Sequence, residues 1–188
     1  FVGNYSTIKN QIGNAVSPTM AKHIGKQLEG ITFIDLFAGC GGLSCGLEMI
    51  NKKAVYANEV EPNYFTTYIL NNPNTVVDIN DIHNIKGKDI PDADIVVGGP
   101  PCQGFSLAGL RMKDDPRNEL YKEFLRIVKE KEVKEFLMEN VPQIEMLKDQ
   151  IIEDFKNIGY ETTFQIIKGE EIGMKQTRHR AFFIGKRI

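Results

Sequence analysis

Ile31-Thr32-Phe33-Ile34-Asp35-Leu36, running straight into Phe37-Ala38-Gly39-Cys40-Gly41-Gly42, sets the architecture of this chain. The first six residues are short and mostly apolar, the signature of a buried strand. The glycines that follow mark a tight turn, and Leu43, Leu47 and Ile50 then fall on one face of a helix. Strand, glycine turn and helix make the opening unit of an open α/β sheet.

The same alternation extends outward in both directions. Upstream, residues 17–28 read as a helix: Ser17 suits a cap, Pro18 suits the first turn, and Met20, Ala21, Ile24 and Leu28 share a face. Downstream come a strand over 54–58, a helix over 62–71, a short strand at Val76-Val77 and a strand at Ile95-Val96-Val97. A polar loop spans 99–118. Then follow a helix over 119–131, a strand over 135–138, a helix over 143–158, and strands over 162–167 and 181–184. Strands with all-apolar centres, interleaved with helices, predict an α/β fold with a doubly wound, mostly parallel sheet. Ligands in such sheets bind beyond the carboxyl ends of the strands.

Composition narrows the class further. The 188 residues are 41% hydrophobic and 26% charged, which fits one ordinary domain with a core of its own over 1–188. Cys40, Cys45 and Cys102 form no CxxC pair, and the three histidines are scattered, so neither a disulfide framework nor a metal site is expected. Cys40 and Cys45 read as small buried hydrophobes. No apolar run reaches membrane-spanning length and no charged-then-apolar leader opens the chain, so no membrane partner and a cytoplasmic location are expected. The first residue is Phe1 and not Met, which suggests that translation began upstream. The formal net charge of −2 lacks the basic balance usual in proteins that hold a phosphate backbone, unless a local surface or another chain supplies it.

Three consecutive strand ends suit a nucleoside. A glycine turn at residues 39–42 lets a ligand approach the backbone and faces it with helix N-terminal amides; alone, it is equally a tight turn. Glu59 follows Gly39 by 20 residues, the spacing at which a carboxylate accepts hydrogen bonds from ribose hydroxyls. Asp78 and Ile79 close the third strand, where a carboxylate suits an exocyclic amine and an isoleucine suits a ring face. The plainer alternative makes Glu59 and Asp78 solvated helix caps.

Gly98-Gly99-Pro100-Pro101-Cys102-Gln103-Gly104-Phe105-Ser106 places a cysteine in a stiff turn directly after a buried strand. That exposure suits a reactive thiolate, with backbone amides and arginines nearby to lower its pKa. Glu139, in Phe136-Leu137-Met138-Glu139-Asn140-Val141, brings a carboxyl to the same sheet edge, where partial desolvation would let it hold a proton. Capping the helix at Pro142 is its ordinary alternative. Gln176-Thr177-Arg178-His179-Arg180 puts Arg178 and Arg180 on one side of an extended segment, suited to a phosphate or a base, or simply to solvent.

Taken in order, FIDLFAGCGG, NEVEP, VDIND, GGPPCQGFS, MENVP and QTRHRAFFIG resemble the DNA cytosine-C5 methyltransferase family from the first glycine turn nearly to residue 188. The resemblance implies the Rossmann-like fold of S-adenosylmethionine-dependent methyltransferases. It also implies S-adenosyl-L-methionine as methyl donor, held by Phe37, Gly39, Gly41, Glu59, Val60, Asp78, Ile79, Pro100 and Leu120. Cys102 would add to C6 of a flipped cytosine while Glu139 serves N3, with Arg178 and Arg180 holding the base and its backbone. The segment 103–118, with Gln103, Ser106, Arg111 and Arg117, would be the loop that closes over double-stranded DNA.

The order departs from the usual family pattern in one respect. Gln11-Ile12-Gly13-Asn14-Ala15-Val16-Ser17-Pro18 resembles the family's last motif, with Asn14 and Ala15 closing the donor pocket, yet it comes first, joined through 28–30 to the core at 31–188. No target-recognition domain is visible. The resemblance is therefore to circularly permuted or two-polypeptide members, in which a second polypeptide carries target recognition. Two alternatives stand beside it: a tRNA cytosine-C5 methyltransferase, and a non-catalytic S-adenosylmethionine-binding subunit.

Overall fold

A computed structural model describes residues 1–101 and 119–188. In chain order its elements are α1 (Tyr5–Asn14), α2 (Pro18–Gly25), β1 (Thr32–Leu36), α3 (Gly42–Glu48), β2 (Lys53–Asn58), α4 (Pro62–Asn71), β3 (Val76–Asp78), β4 (Ile95–Gly98), α5 (Glu119–Lys131), β5 (Glu135–Asn140), α6 (Lys148–Lys156), β6 (Tyr160–Lys168) and β7 (His179–Arg187). Short 3-10 turns punctuate the connections.

The strands form one sheet in the order β3-β2-β1-β4-β5-β7-β6. Ladders from β3 to β5 are parallel, while β7 runs antiparallel between β5 and β6. This is the doubly wound, mostly parallel sheet expected from sequence. From β1 the chain steps outward to β2 and β3 on one side, then crosses back to β4 on the other side of β1, so a crevice opens where the order reverses.

Side-chain alternation assigns the two faces. Ile34, Leu36, Val96, Phe136 and Met138 meet α5 and α6 through Phe124, Ile127, Ile151 and Phe155. Phe136 and Phe155 stack at 3.9 Å between centroids, and Phe124 meets both rings edge-on. Phe33, Ile95, Val97, Leu137, Phe182 and Ile184 turn the other way, onto Met20, Ala21 and Ile24 of α2 and Leu43 and Leu47 of α3. There the two helices touch backbone to backbone. A Cβ at Gly46 would sit 2.4 Å from both the Ala21 Cβ and the Pro18 carbonyl oxygen.

Three local details differ from the sequence expectation. α2 ends at Gly25, although single-turn bonds from Gln27 N–H to Ile24 O and Leu28 N–H to Gly25 O keep Leu28 buried. Ser17 precedes α2 without a side-chain cap bond. The helix expected over 143–158 opens as a 3-10 turn, Pro142–Leu147, before α6 begins. The Ile144 N–H closes on the Val141 carbonyl three residues back, and Ile144 is buried beneath the turn.

The link from α2 to β1 is held at the edge of the sheet where the parallel strands begin. Glu135 accepts from the Glu29 and Gly30 amides at 2.8 and 2.9 Å, and Asp94 accepts from Ile31 and Thr32 at 3.0 and 3.1 Å. Lys52 donates to the Leu28 and Gly30 carbonyls. With its polar backbone paired in this way, the link costs little to order.

Candidate active site

A cleft of about 990 Å³ lies beyond the carboxyl ends of β1, β2, β4 and β5. Its size and mixed lining suit a ligand of nucleoside-amino-acid dimensions. Residues expected from sequence that line it are Asn14, Ala15, Phe37, Gly39, Glu59, Val60, Pro100, Leu120, Glu139 and Arg180. Gly41, Asp78, Ile79 and Arg178 are not among its lining residues. Cys102, Gln103, Ser106, Arg111 and Arg117 lie outside the described residues.

The glycine turn shapes the floor. Gly39 and Gly41 both take positive φ, +58° and +87°, and a Cβ on Gly39 would meet no atom within 4 Å; backbone conformation, not crowding, makes glycine the suitable residue there. Phe37, a cleft residue between them and β1, also has positive φ, 55°, a strained conformation for a side-chain-bearing residue. Gly42 is needed for space, since its Cβ would fall 2.2 Å from the Val16 carbonyl oxygen.

Glu59, just past β2, is buried and anchors this turn. Its Oε2 accepts from the Gly39 N–H and its Oε1 from the Glu61 N–H, both at 2.8 Å. Burial pushes its carboxyl above the usual range, and the two backbone amides work against that rise. Asp78 is already engaged beside it. Tyr56 donates to Oδ2 at 2.9 Å, and the Asn80 amide and side chain donate to Oδ1.

Asp35 is a cleft residue that sequence reasoning passed over. It is 1% exposed, and its Oδ2 accepts from Ser44 Oγ at 2.5 Å, with Tyr68 a further 2.7 Å along. Its Oδ1 is buried without a hydrogen-bond partner. Burial raises its carboxyl to about 7, Ser44 opposes the rise, and the charges of Glu59 and Glu48 add to it. The signal was present as a lone carboxylate inside an otherwise apolar strand. Gln11, Asn58, Tyr64, Asp81, Ile82 and His83 also line the cleft; His83 Nδ1 lies 2.6 Å from Asp81 Oδ1.

At the other end of the cleft Glu139 projects from β5, which continues two residues further than expected, to Asn140. Arg180, from the paired strand β7, puts Nε 2.8 Å from Glu139 Oε1. Burial nevertheless raises the Glu139 carboxyl to about 7, against the charges of Arg180 and Arg178. Glu139 Oε2 is packed so close to Gly99 that a Cβ there would lie 2.8 Å away. Asn140 Nδ2 donates to the Pro100 carbonyl at 3.0 Å, pinning the start of the proline turn to the same strand.

Arg178 faces away from this pair, toward the carbonyls of Gly13 and Ala15. The α1–α2 turn so held forms a side wall of the cleft, with Asn14 Nδ2 3.4 Å from the Tyr64 hydroxyl and Gln11 bonded to Thr67 at 2.7 Å. Neither early cysteine sits as expected. Cys40 is half-buried and Cys45 is exposed, because Cys45 falls two positions after Leu43, on the outer face of α3. Among the described residues no group of three or more His, Cys, Asp or Glu could hold a metal ion, and no described helix is long and apolar enough to cross a membrane.

The chain is 42% identical over 167 residues to Type II methyltransferase M.DdeI of Desulfomicrobium norvegicum, a match covering 82% of this chain and 40% of that protein. It is 37% identical over 174 residues to Type II methyltransferase M1.HphI of Haemophilus parahaemolyticus, covering 84% and 46%. A crystal structure assigned to a prophage-encoded DNA modification methyltransferase (E. coli) superposes with a TM-score of 0.72 at 31% identity, over 84% of this chain and 47% of that one. The chain thus spans less than half the length of these relatives. Residues 31–188 match the model for C-5 cytosine-specific DNA methylases, and the chain belongs to that family.

Proposed function

We propose that this chain is the catalytic part of a restriction-modification DNA methyltransferase, transferring a methyl group from S-adenosyl-L-methionine to C5 of cytosine. The observation that carries the reading is Glu139. This buried carboxyl has its pKa raised to about 7, is held by Arg180, and lines one end of a nucleoside-sized cleft that Pro100 and Pro101 also line.

The cleft suits the donor. Asp35 offers a buried oxygen with no protein partner, suited to an ammonium group, and Glu59 is placed to accept from ribose hydroxyls while it braces the glycine turn. Phe37, Val60 and Leu120 supply apolar surface for a base. When bound there, S-adenosyl-L-methionine supplies a methyl group in electrophilic form.

The chain's own residues prepare the other reactant. Cys102 adds its thiolate to C6 of cytosine, and the π pair of the C5–C6 bond moves to C5 as Glu139 gives its proton to N3. Arg180 orients the Glu139 carboxyl and takes up its negative charge. Once C5 carries the methyl group, a solvent base takes the C5 proton, the C5–C6 double bond reforms as the C6–S bond breaks to release the Cys102 thiolate, and N3 returns its proton to the Glu139 carboxylate. Base flipping into the cleft is part of this proposal, since C6 and N3 are inaccessible to these groups inside a duplex.

Recognition of the DNA sequence is assigned in this reading to polypeptide outside residues 1–188, a second chain forming a heterodimer. The net charge of −2 supports this, because readout of a duplex draws on many cationic phosphate contacts. The permuted order is supported by the packing of α2 into the same core as α3 and β1.

The test is methyl transfer to duplex DNA, with tRNA as comparison substrate, by the assembled enzyme carrying Cys102→Ser or Glu139→Gln. Loss of transfer by about 10³-fold or more for Cys102→Ser and about 10²-fold for Glu139→Gln is expected. Undiminished transfer by Cys102→Ser would refute the mechanism, and transfer to tRNA alone would reassign the substrate.

A further inference from the structure

The two arginines of the Gln176–Arg180 segment do different work. We infer that Arg178 is a positioning residue, which fixes the α1–α2 turn as the wall of the donor cleft; the inference rests on the donor reading above. Its Nη2 donates to the Gly13 carbonyl at 2.9 Å and to the Ala15 carbonyl, across sequence separations of 165 and 163.

The last carbonyls of a helix lack intrahelical donors, and the helix dipole makes that end favourable for a cation. α1 has no basic residue in its last turn. Arg178 supplies both the donors and the charge from the far end of the chain. Its Nε is buried without a hydrogen-bond partner, so the guanidinium is placed for these carbonyls at the expense of its own third contact.

The segment it grips is cleft wall: Gln11, Asn14, Ala15 and Val16 all line the cavity. On one side the segment is fixed to α3 and α4, through Gln11 to Thr67, Asn14 to Tyr64 and the Val16 carbonyl against Gly42. On the other side, among the described residues, the Arg178 bonds are the hydrogen bonds that join residues 11–17 to β7 and its approach. Without them the wall keeps its apolar contact through Val16 but has hydrogen bonds along one edge, and the turn at 13–15 is freer to move away from the cavity. Arg180, two residues on, serves Glu139 instead.

Isothermal calorimetry with S-adenosylhomocysteine, paired with amide hydrogen exchange over residues 13–17, tests this on the wild-type protein, Arg178→Met and Arg178→Lys. Loss of a charged hydrogen-bonding group should weaken S-adenosylhomocysteine binding about tenfold in Arg178→Met. It should also speed exchange at 13–17 while leaving the amides of β1 and β4 unchanged. Arg178→Lys, which keeps the charge but not the planar fork, should fall between. Binding within about twofold of wild type, with unaltered exchange at 13–17, would overturn the inference. A wild-type protein that binds no S-adenosylhomocysteine would overturn the donor reading, and the exchange comparison would then decide the role of Arg178 by itself. If Arg178→Met does not fold, Arg178→Lys carries the same comparison.

Discussion

Replacing Asp35 by Asn removes a charge without changing the shape of the side chain, and its effect on stability should depend on pH in a defined way. The native carboxyl titrates near 7, raised from an ordinary 3.8, because burial outweighs the hydrogen bond from Ser44 and because Glu59 and Glu48 add like charge. The native state therefore holds a proton that the unfolded chain releases. Wild-type stability from this group is fully present below about pH 4 and falls by roughly 1.4 kcal/mol per pH unit until pH passes about 7. Across the whole window the loss approaches about 4 kcal/mol, of which about 2 to 3 kcal/mol falls between pH 5 and pH 8.

Asparagine has no such titration, and its amide can still bond Ser44 through either end. Urea unfolding of both proteins at fixed ionic strength, at intervals from pH 5 to pH 8, reads the effect, because Glu139, which is not among the groups acting on Asp35, contributes alike to both. The stability of Asp35→Asn minus that of wild type should climb by about 2 to 3 kcal/mol over this range. A difference that stays flat to within about 0.5 kcal/mol would show that Asp35 is ionised at neutral pH with water or another donor on Oδ1, and would refute the reasoning.

Two further predictions concern packing. Gly46→Ala should destabilise by about 1 to 3 kcal/mol despite alanine's better helix propensity, because the new methyl meets the Pro18 carbonyl and Ala21 at 2.4 Å; thermal melts in which the variant matches wild type would contradict this close approach. Phe136→Ala should cost about 3 to 5 kcal/mol, since Phe136 is wholly buried and stacked on Phe155. Equilibrium denaturation reads this directly, and a loss below about 1 kcal/mol would mean that the aromatic cluster can collapse into the space.

Much of this molecule was legible from residue order because its elements carry local signals. α4 begins at Pro62 and ends at Asn71, and α5 runs from Glu119 to Lys131, both as the sequence pattern indicates. The central strands read as apolar runs because both faces of the sheet are covered. α1 escaped notice for a physical reason: its single buried residue is Gln11, which docks through hydrogen bonds to Thr67 and Val2, so it has no apolar stripe to detect. Asp35 was passed over because its partners, Ser44 and Tyr68, reach it only through the tertiary fold. Arg178 and Arg180 look equivalent in an extended segment, and only the placement of α1 beside β7 separates their contacts. The antiparallel insertion of β7 was likewise invisible, since strand direction is decided by pairing and not by composition.

That insertion has a consequence for how the protein is made. β5, bearing Phe136, Leu137, Met138 and Glu139, acquires its second neighbour only when β7 arrives, some forty residues later, and among the described residues β6 pairs in the sheet with β7 alone. During synthesis the apolar centre of β5 is thus an open edge until residues 179–187 have emerged, the kind of unpaired strand that invites association with other nascent chains. The Glu139 carboxyl waits for the same event, since its partner Arg180 is delivered by the closing strand. Pairings of such long sequence separation are slow to form. Synthesis interrupted before residue 179 would therefore yield a chain that is both prone to aggregate and without the Glu139–Arg180 pair.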